Sequence, residues 1–153
     1  MKRHPALVSL SHQHHDGLLL AHRLQQGTRA LLRLWSHDLF WQAEFVTKQF
    51  DDELTHHFNA EENILFPAAR CYQIDEALVQ RLIDDHAKMR EYVAFFRSPE
   101  EKKLECNLTS FGKLLEDHIR CEEREFFPMC EEKIPEERWK ELEGELLITL
   151  KKV

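Results

Sequence analysis

Glycine and proline are scarce in this chain, 4 and 5 in 153 residues, which argues against a turn-rich β fold and leaves room for long helices. Cysteine is sparse and scattered. Cys71, Cys106, Cys121 and Cys130 include no CxxC spacing, so neither a disulfide framework nor a zinc-thiolate site is expected, and buried reduced thiols are the simplest reading. Basic residues do not dominate: 21 Lys and Arg face 28 Asp and Glu, for a net charge of −7, and no basic stripe is interleaved with aromatics. Nucleic acid is therefore not an expected partner. No long apolar run is present either. The opening MKRHPALVSL is broken by SHQHHDG, so it makes neither a secretory core nor a bilayer span, and the expected setting is cytoplasmic with no membrane partner.

Histidine, by contrast, is abundant, with 10 residues, and part of it is repeated in a pattern. The stretch HHFNAEENILFP from His56 to Pro67 is matched by HIRCEEREFFP from His118 to Pro128. Aligned at His57 and His118, both carry Glu-Glu four and five residues later, then a bulky apolar residue, Phe and Pro. Residues i and i+4 share one face of an α-helix, so each copy turns an imidazole and a carboxylate the same way. Two such pairs facing one another make a nitrogen and oxygen cage of the kind that holds a transition metal.

The rest of the chain reads as helices around these two stretches. The first starts near Pro5 and runs Leu7, Leu10, His14, Leu18, Ala21, Leu24 along one face; Gly27 and Thr28 mark a break, after which Ala30 to His37 is an extension or a separate turn. The second begins at Asp38, a capping residue, and continues to about Cys71 with the line Ala43, Val46, Phe50, Leu54, His57, Glu61, Ile64, its last turns loosened by Pro67. The third carries Leu78, Leu82, His86, Met89, Val93 and Phe96 and stops at Arg97. Ser98 is then read as the N-cap of the fourth, with Pro99 at its first position, followed by Leu104, Leu108, Phe111, Leu115, His118 and Glu122. Pro135 opens a last short helix with Trp139, Leu142, Leu146 and Leu150 on one side. The expectation is an all-α, up-down-up-down four-helix bundle over about residues 5–132 with a C-terminal packing helix over 135–150, the whole of 1–153 forming one domain.

The helix-1 position has three candidates, His12, His14 and His15. Around His86 the offsets −4, +3, +7 and +10 give Leu82, Met89, Val93 and Phe96; around His14 they give Leu10, Gly17, Ala21 and Leu24, and around His15 they give Ser11, Leu18, His22 and Gln25. Of the His15 offsets only Leu18 is apolar, so His14 is the better counterpart, and His15 stays open. The core-facing polar set is then His14, His57, Glu61, His86, His118 and Glu122. Burying six such groups without partners is costly, and four imidazoles with two carboxylates suffice for two metal ions; the lack of thiolates favours iron or manganese over a structural zinc. Glu62 and Glu123 face solvent or hydrogen-bond a ligand imidazole. His4, His12, His22, His37 and His56 are read as surface groups, Tyr72 and Tyr92 as packing residues. The runs Asp51-Asp52-Glu53 and Glu131-Glu132 are read as solvated faces, and Cys121, beside His118 and Glu122, as a weak redox candidate.

Through LSHQHHDGL at 10–18, HHFNAEENILFP, DDHAKMR at 84–90 and HIRCEEREFFP, the chain resembles the hemerythrin-like, or HHE cation-binding, proteins over nearly its whole length. The resemblance implies a four-helix bundle around a non-haem di-iron centre, two iron ions bridged by two carboxylates and an oxygen atom, held by the six residues above. It implies a small ligand such as oxygen, nitric oxide or peroxide, bound for sensing, scavenging or iron and redox homeostasis. A redox enzyme turning over oxygen or peroxide, or a purely structural metal clamp, are the alternatives. Two departures from the oxygen carriers stand out: His86 is followed at +4 by Arg90 rather than His, and His118 by Glu122 at +4 and Glu123 at +5 rather than by Asp at +5. Four His and two Glu instead resemble the di-iron proteins linked to iron-sulfur repair and nitric oxide stress and the iron-sensing hemerythrin-like domains. Ferritin-like proteins fit poorly, since they use Glu-x-x-His.

Overall fold

The computed structural model describes residues 2–26 and 34–150. Among them every regular element is helical, and there is no strand. A 3-10 turn, Pro5–Leu7, leads into α1, Val8–Gln26; α2 occupies residues 39–71, α3 is Glu76–Arg97, α4 occupies residues 101–133, and α5 is Glu136–Leu150. The expected break at Gly27 and Thr28, and the first part of the 30–37 segment, lie outside the described residues.

The local signals explain most of the boundaries. Asp38 caps α2 by accepting from the backbone N–H groups of Phe40 and Trp41, and Asp75 caps α3 in the same way through Ala77 and Leu78. Between them, Gln73 takes a left-handed φ of 56°, with Gln73 N–H on Arg70 and Ile74 N–H on Ala69 closing the end of α2. Ser98 departs from expectation. It terminates α3, its N–H bonded to Phe95, and α4 starts at Glu101 behind an uncapped Glu100.

Neither α2 nor α4 is uniform. Three short π turns, closed by i to i+5 hydrogen bonds, interrupt them: Phe50–Leu54, Glu61–Leu65 and Glu122–Phe126. The last two begin at the paired glutamates and stand just before Phe66-Pro67 and Phe127-Pro128. Proline supplies no N–H and its ring crowds the carbonyl four residues back, so a widened turn relieves the strain there. The extra residue also advances the register. Leu65 is fully buried in place of the expected Ile64, which is half-buried.

Two apolar clusters fill the interior. One gathers Leu7, Leu10, Leu65, Phe66, Leu82, Phe126, Phe127 and Trp139; the other gathers Leu20, Leu24, Val46, Phe50, Phe58, Met89, Val93, Phe96, Phe111 and Leu115. Along α1 the chain passes from the first cluster through His14 to the second. Along α2 it runs from the second through His57 and Glu61 to the first, and α3 and α4 repeat this alternation around His86 and around His118 with Glu122. One polar layer thus separates two greasy ones. Helix α5 lays Trp139, Leu142 and Leu146 into the first cluster. Helices α1 and α4 approach closely at glycines: a Cβ on Gly112 would meet the Ala21 carbonyl oxygen at 2.9 Å, and one on Gly17 would meet Ile119 Cδ1 at 2.7 Å. No helix among the described residues is long and apolar enough to cross a membrane.

Candidate metal centre

The polar layer brings His14, His57, Glu61, His86, His118 and Glu122 into one cluster in which every member is at most 3% exposed. His15, one residue away on α1, points to solvent, so the face of the helix distinguishes the two. The four rings present their Nε2 atoms inward in two pairs. His14 and His57 stand 3.1 Å apart, as do His86 and His118. Between the pairs lie the carboxylates: Glu61 Oε1 is 2.7 Å from His57 Nε2 and 3.9 Å from His86 Nε2, and Glu122 Oε1 is 2.9 Å from His118 Nε2 and 3.4 Å from His14 Nε2.

Every outward nitrogen is already committed. His14 Nδ1 donates to Glu123 at 2.8 Å, His57 Nδ1 to Gln13 Oε1 at 2.7 Å, His86 Nδ1 to Glu62 at 2.9 Å, and His118 Nδ1 to Asp85 at 3.1 Å. A neutral imidazole carries one N–H, so these bonds leave all four Nε2 atoms as bare lone pairs. In that tautomer the short inward contacts hold no proton. Consistent with this, none of the four oxygens of Glu61 and Glu122 has a hydrogen-bond partner, despite complete burial. Lone pairs on four nitrogens and two carboxylates packed at such distances repel one another unless cations stand among them. Two ligand sets are available, His14 with His57, Glu61 and Glu122, and His86 with His118 and Glu61.

The protonation states suit that role. Burial lowers the affinity of His57 for a proton, against the pull of Glu61, and burial takes His118 down to about 4 in spite of Asp85. Burial works to raise the Glu61 carboxyl, but His57, His86 and His118 outweigh it and hold it at about 2. Glu123 is likewise held at about 2, because the hydrogen bond from His14 and the charge of Arg3 overcome its burial. Neutral imidazoles and ionised carboxylates are the forms that bind metal.

An outer ring of charge steadies the acceptors. Arg90 donates to both oxygens of Glu62, at 3.2 and 2.7 Å, and lies over the Phe58 ring, turned away from the cluster it would join if it were a histidine. Arg3 bonds Glu123 at 2.7 Å and also Glu131. Aromatic walls dry the site: Phe58 stacks on His86 at 3.9 Å, and Phe127 lies parallel to His14 at 5.4 Å. One cleft reaches it, lined by Gln13, Gly17, Leu54 and His57 among others, with a volume of about 10 Å³, room for about one water.

Glu62 and Glu123 prove to be hydrogen-bond acceptors for the buried rings of His86 and His14 rather than solvated residues. Gln13, Asp85 and Arg3 were not singled out by sequence reasoning. Gln13 and Asp85 immediately precede His14 and His86, so extending the helix-1 and helix-3 alignment by one residue reaches them. Four surface assignments change. His4 is half-buried, stacked on Trp139 at 4.6 Å; Glu131 is tied to Arg3 and the His4 backbone; and Glu53 is half-buried, its carboxyl raised by burial and by Asp16 and Asp52. His56 is half-buried as well, while His12, His22 and His37 are exposed. Tyr92 packs on Phe96 and Phe111. Of the cysteines, Cys71 and Cys106 are exposed; burial pushes the Cys121 thiol up to about 11, and its Sγ donates to Glu125 at 3.3 Å.

Comparison with known proteins agrees with this geometry. The model of one family, described as the hemerythrin HHE cation binding domain, matches residues 6–130. No curated protein and no solved structure matches the chain.

Proposed function

We propose that this chain, which belongs to the hemerythrin HHE cation-binding family, is a non-haem di-iron protein. It binds oxygen, nitric oxide or peroxide for sensing, scavenging or iron and redox homeostasis. The observation that carries the reading is the pair of Nε2 to Nε2 contacts at 3.1 Å beside four unpartnered carboxylate oxygens. In this reading His14 and His57 would hold one ion and His86 and His118 the other, with the Glu61 and Glu122 carboxylates between the pairs completing the ligands. When bound, iron would supply a Lewis acid of changeable oxidation state. The protein's own residues do the rest. Glu123, Gln13, Glu62 and Asp85 fix the tautomer and angle of each ring, and Phe58 and Phe127 keep bulk water away. The alternation of the two apolar clusters along α1 to α4 supports an up-down-up-down bundle. The proposal sets the protein in the cytoplasm, where its four free cysteines stay reduced.

The test is native protein purified without added metal, assayed for bound metals, with an absorption spectrum before and after azide. About two irons per chain with charge-transfer bands that shift on azide is the expected result. A single zinc, or no metal with the fold intact, overturns it.

A further inference from the structure

The two imidazole pairs are near copies, yet one matched position differs in charge. Asp85 precedes His86 on α3 and accepts from His118 on α4; Gln13 precedes His14 on α1 and accepts from His57 on α2. The first acceptor is a carboxylate and the second a neutral amide. The remaining two acceptors, Glu62 and Glu123, are both carboxylates, and each shares its charge with an arginine, Arg90 and Arg3 respectively. Asp85 has no such sharing: its ion pair is with His118, and no Lys or Arg among the described residues pairs with it. Its side chain is only 11% exposed, so water screens it little. At the acceptor position bonded directly to a ring the pairs therefore differ by one negative charge, one imidazole away from the inward nitrogens; Glu53, the carboxylate that also feels His57, lies beyond Gln13's hydrogen bond and reaches that ring through space alone.

A carboxylate on Nδ1–H makes the opposite nitrogen a stronger donor, whereas an amide carbonyl does so weakly. The uncompensated charge also attracts a cation directly. We infer that the two metal pockets are unequal and fill in order, the His86–His118 pocket first and the His14–His57 pocket second, with Asp85 and Gln13 as the positioning residues that set the order. The inference rests on the two-metal reading above and adds a sequence of loading to it.

The test uses full-length protein stripped with chelator and titrated with cobalt(II), followed by calorimetry and visible absorption. Wild type shows two separated steps, and crystals given one equivalent of cobalt place the anomalous scattering between His86 and His118. Asp85→Asn weakens the tighter step by about 10–100-fold and brings the two together. Gln13→Glu tightens the weaker step by a similar factor, a gain that a merely structural role for Gln13 does not produce. Circular dichroism of the metal-free variants checks the fold, and Gln13→Glu carries the test if Asp85→Asn does not fold. Equal affinities, first occupancy at His14–His57, or no tightening in Gln13→Glu overturns the inference and leaves the two-metal reading standing. Failure of any second ion to bind removes the reading itself, and the inference with it.

Discussion

Glu123 on α4 accepts the Nδ1 proton of His14 on α1 across 2.8 Å, although 109 residues separate them in the chain. That bond points the other nitrogen of His14 at His57 and, with help from Arg3 at 2.7 Å, keeps the carboxylate ionised against its burial. Glu123→Ala should therefore weaken metal retention by about 10–100-fold without touching a ligand, while Glu123→Gln, which keeps an acceptor oxygen, falls less. Metal remaining after competition with a chelator of known affinity measures both. Equal retention in all three proteins would sink the assignment.

Glu122 is fully buried and neither of its oxygens has a hydrogen-bond partner. Without metal, such a carboxylate costs the fold about 1–3 kcal/mol. Glu122→Leu, of similar bulk, should raise the melting temperature of the metal-free protein and abolish the further rise that iron or manganese gives the wild type. Differential scanning calorimetry with and without metal decides; a variant that melts lower than wild type in the metal-free state contradicts the reading.

Acid should undo the metal-free protein in a defined window. Burial lowers His118 from 6.5 to about 4, so between those values the unfolded chain binds a proton that the folded one refuses. Stability is then complete above the unfolded value and is lost as pH falls from 6.5 toward 4, by about 3 kcal/mol at about 1.4 kcal/mol per pKa unit. Urea titrations of metal-free wild type and His118→Gln at pH 7 and pH 5 test this. The variant should show the flatter profile.

The close approach of α1 and α4 depends on Gly112, where a Cβ would stand 2.9 Å from the Ala21 carbonyl oxygen and 3.0 Å from Leu24 Cβ. Backbone cannot swing aside, so Gly112→Ala should cost about 1–3 kcal/mol. Gly144 on α5 has nothing within 4 Å of its would-be Cβ, and Gly144→Ala should stabilise by about 0.5–1 kcal/mol. Denaturation midpoints of opposite sign are expected.

His14 and His15 differ by one position and by everything that position implies, since one is buried against His57 and the other is exposed. His14→Ala should lose metal and His15→Ala should not, as elemental analysis of the purified variants will show.

The repeated His-x-x-x-Glu-Glu and the apolar steps of three and four made the helical elements and the inward set readable before any coordinates, because both depend on spacing within one helix. What spacing does not encode was missed. The π turn at Glu61–Leu65 shifts burial from Ile64 to Leu65, since a regular period of 3.6 has no place for an inserted residue. Ser98 looked like a cap because cap preference is local, whereas the observed start at Glu101 is not signalled by any side-chain bond. Arg3 reaches Glu131 over 128 residues, and only tertiary packing brings those two together.

Each pair of imidazoles belongs to one half of the chain, His14 with His57 before Tyr72 and His86 with His118 after Asp75, while Glu62 and Glu123 each clamp a ring of the opposite half. The molecule is thus two helical hairpins laced together by carboxylates. Severing the short link between α3 and α2 at residues 72–75 would yield two fragments whose polar seams are each incomplete, and cations able to fill those seams would act as the adhesive for their reassembly.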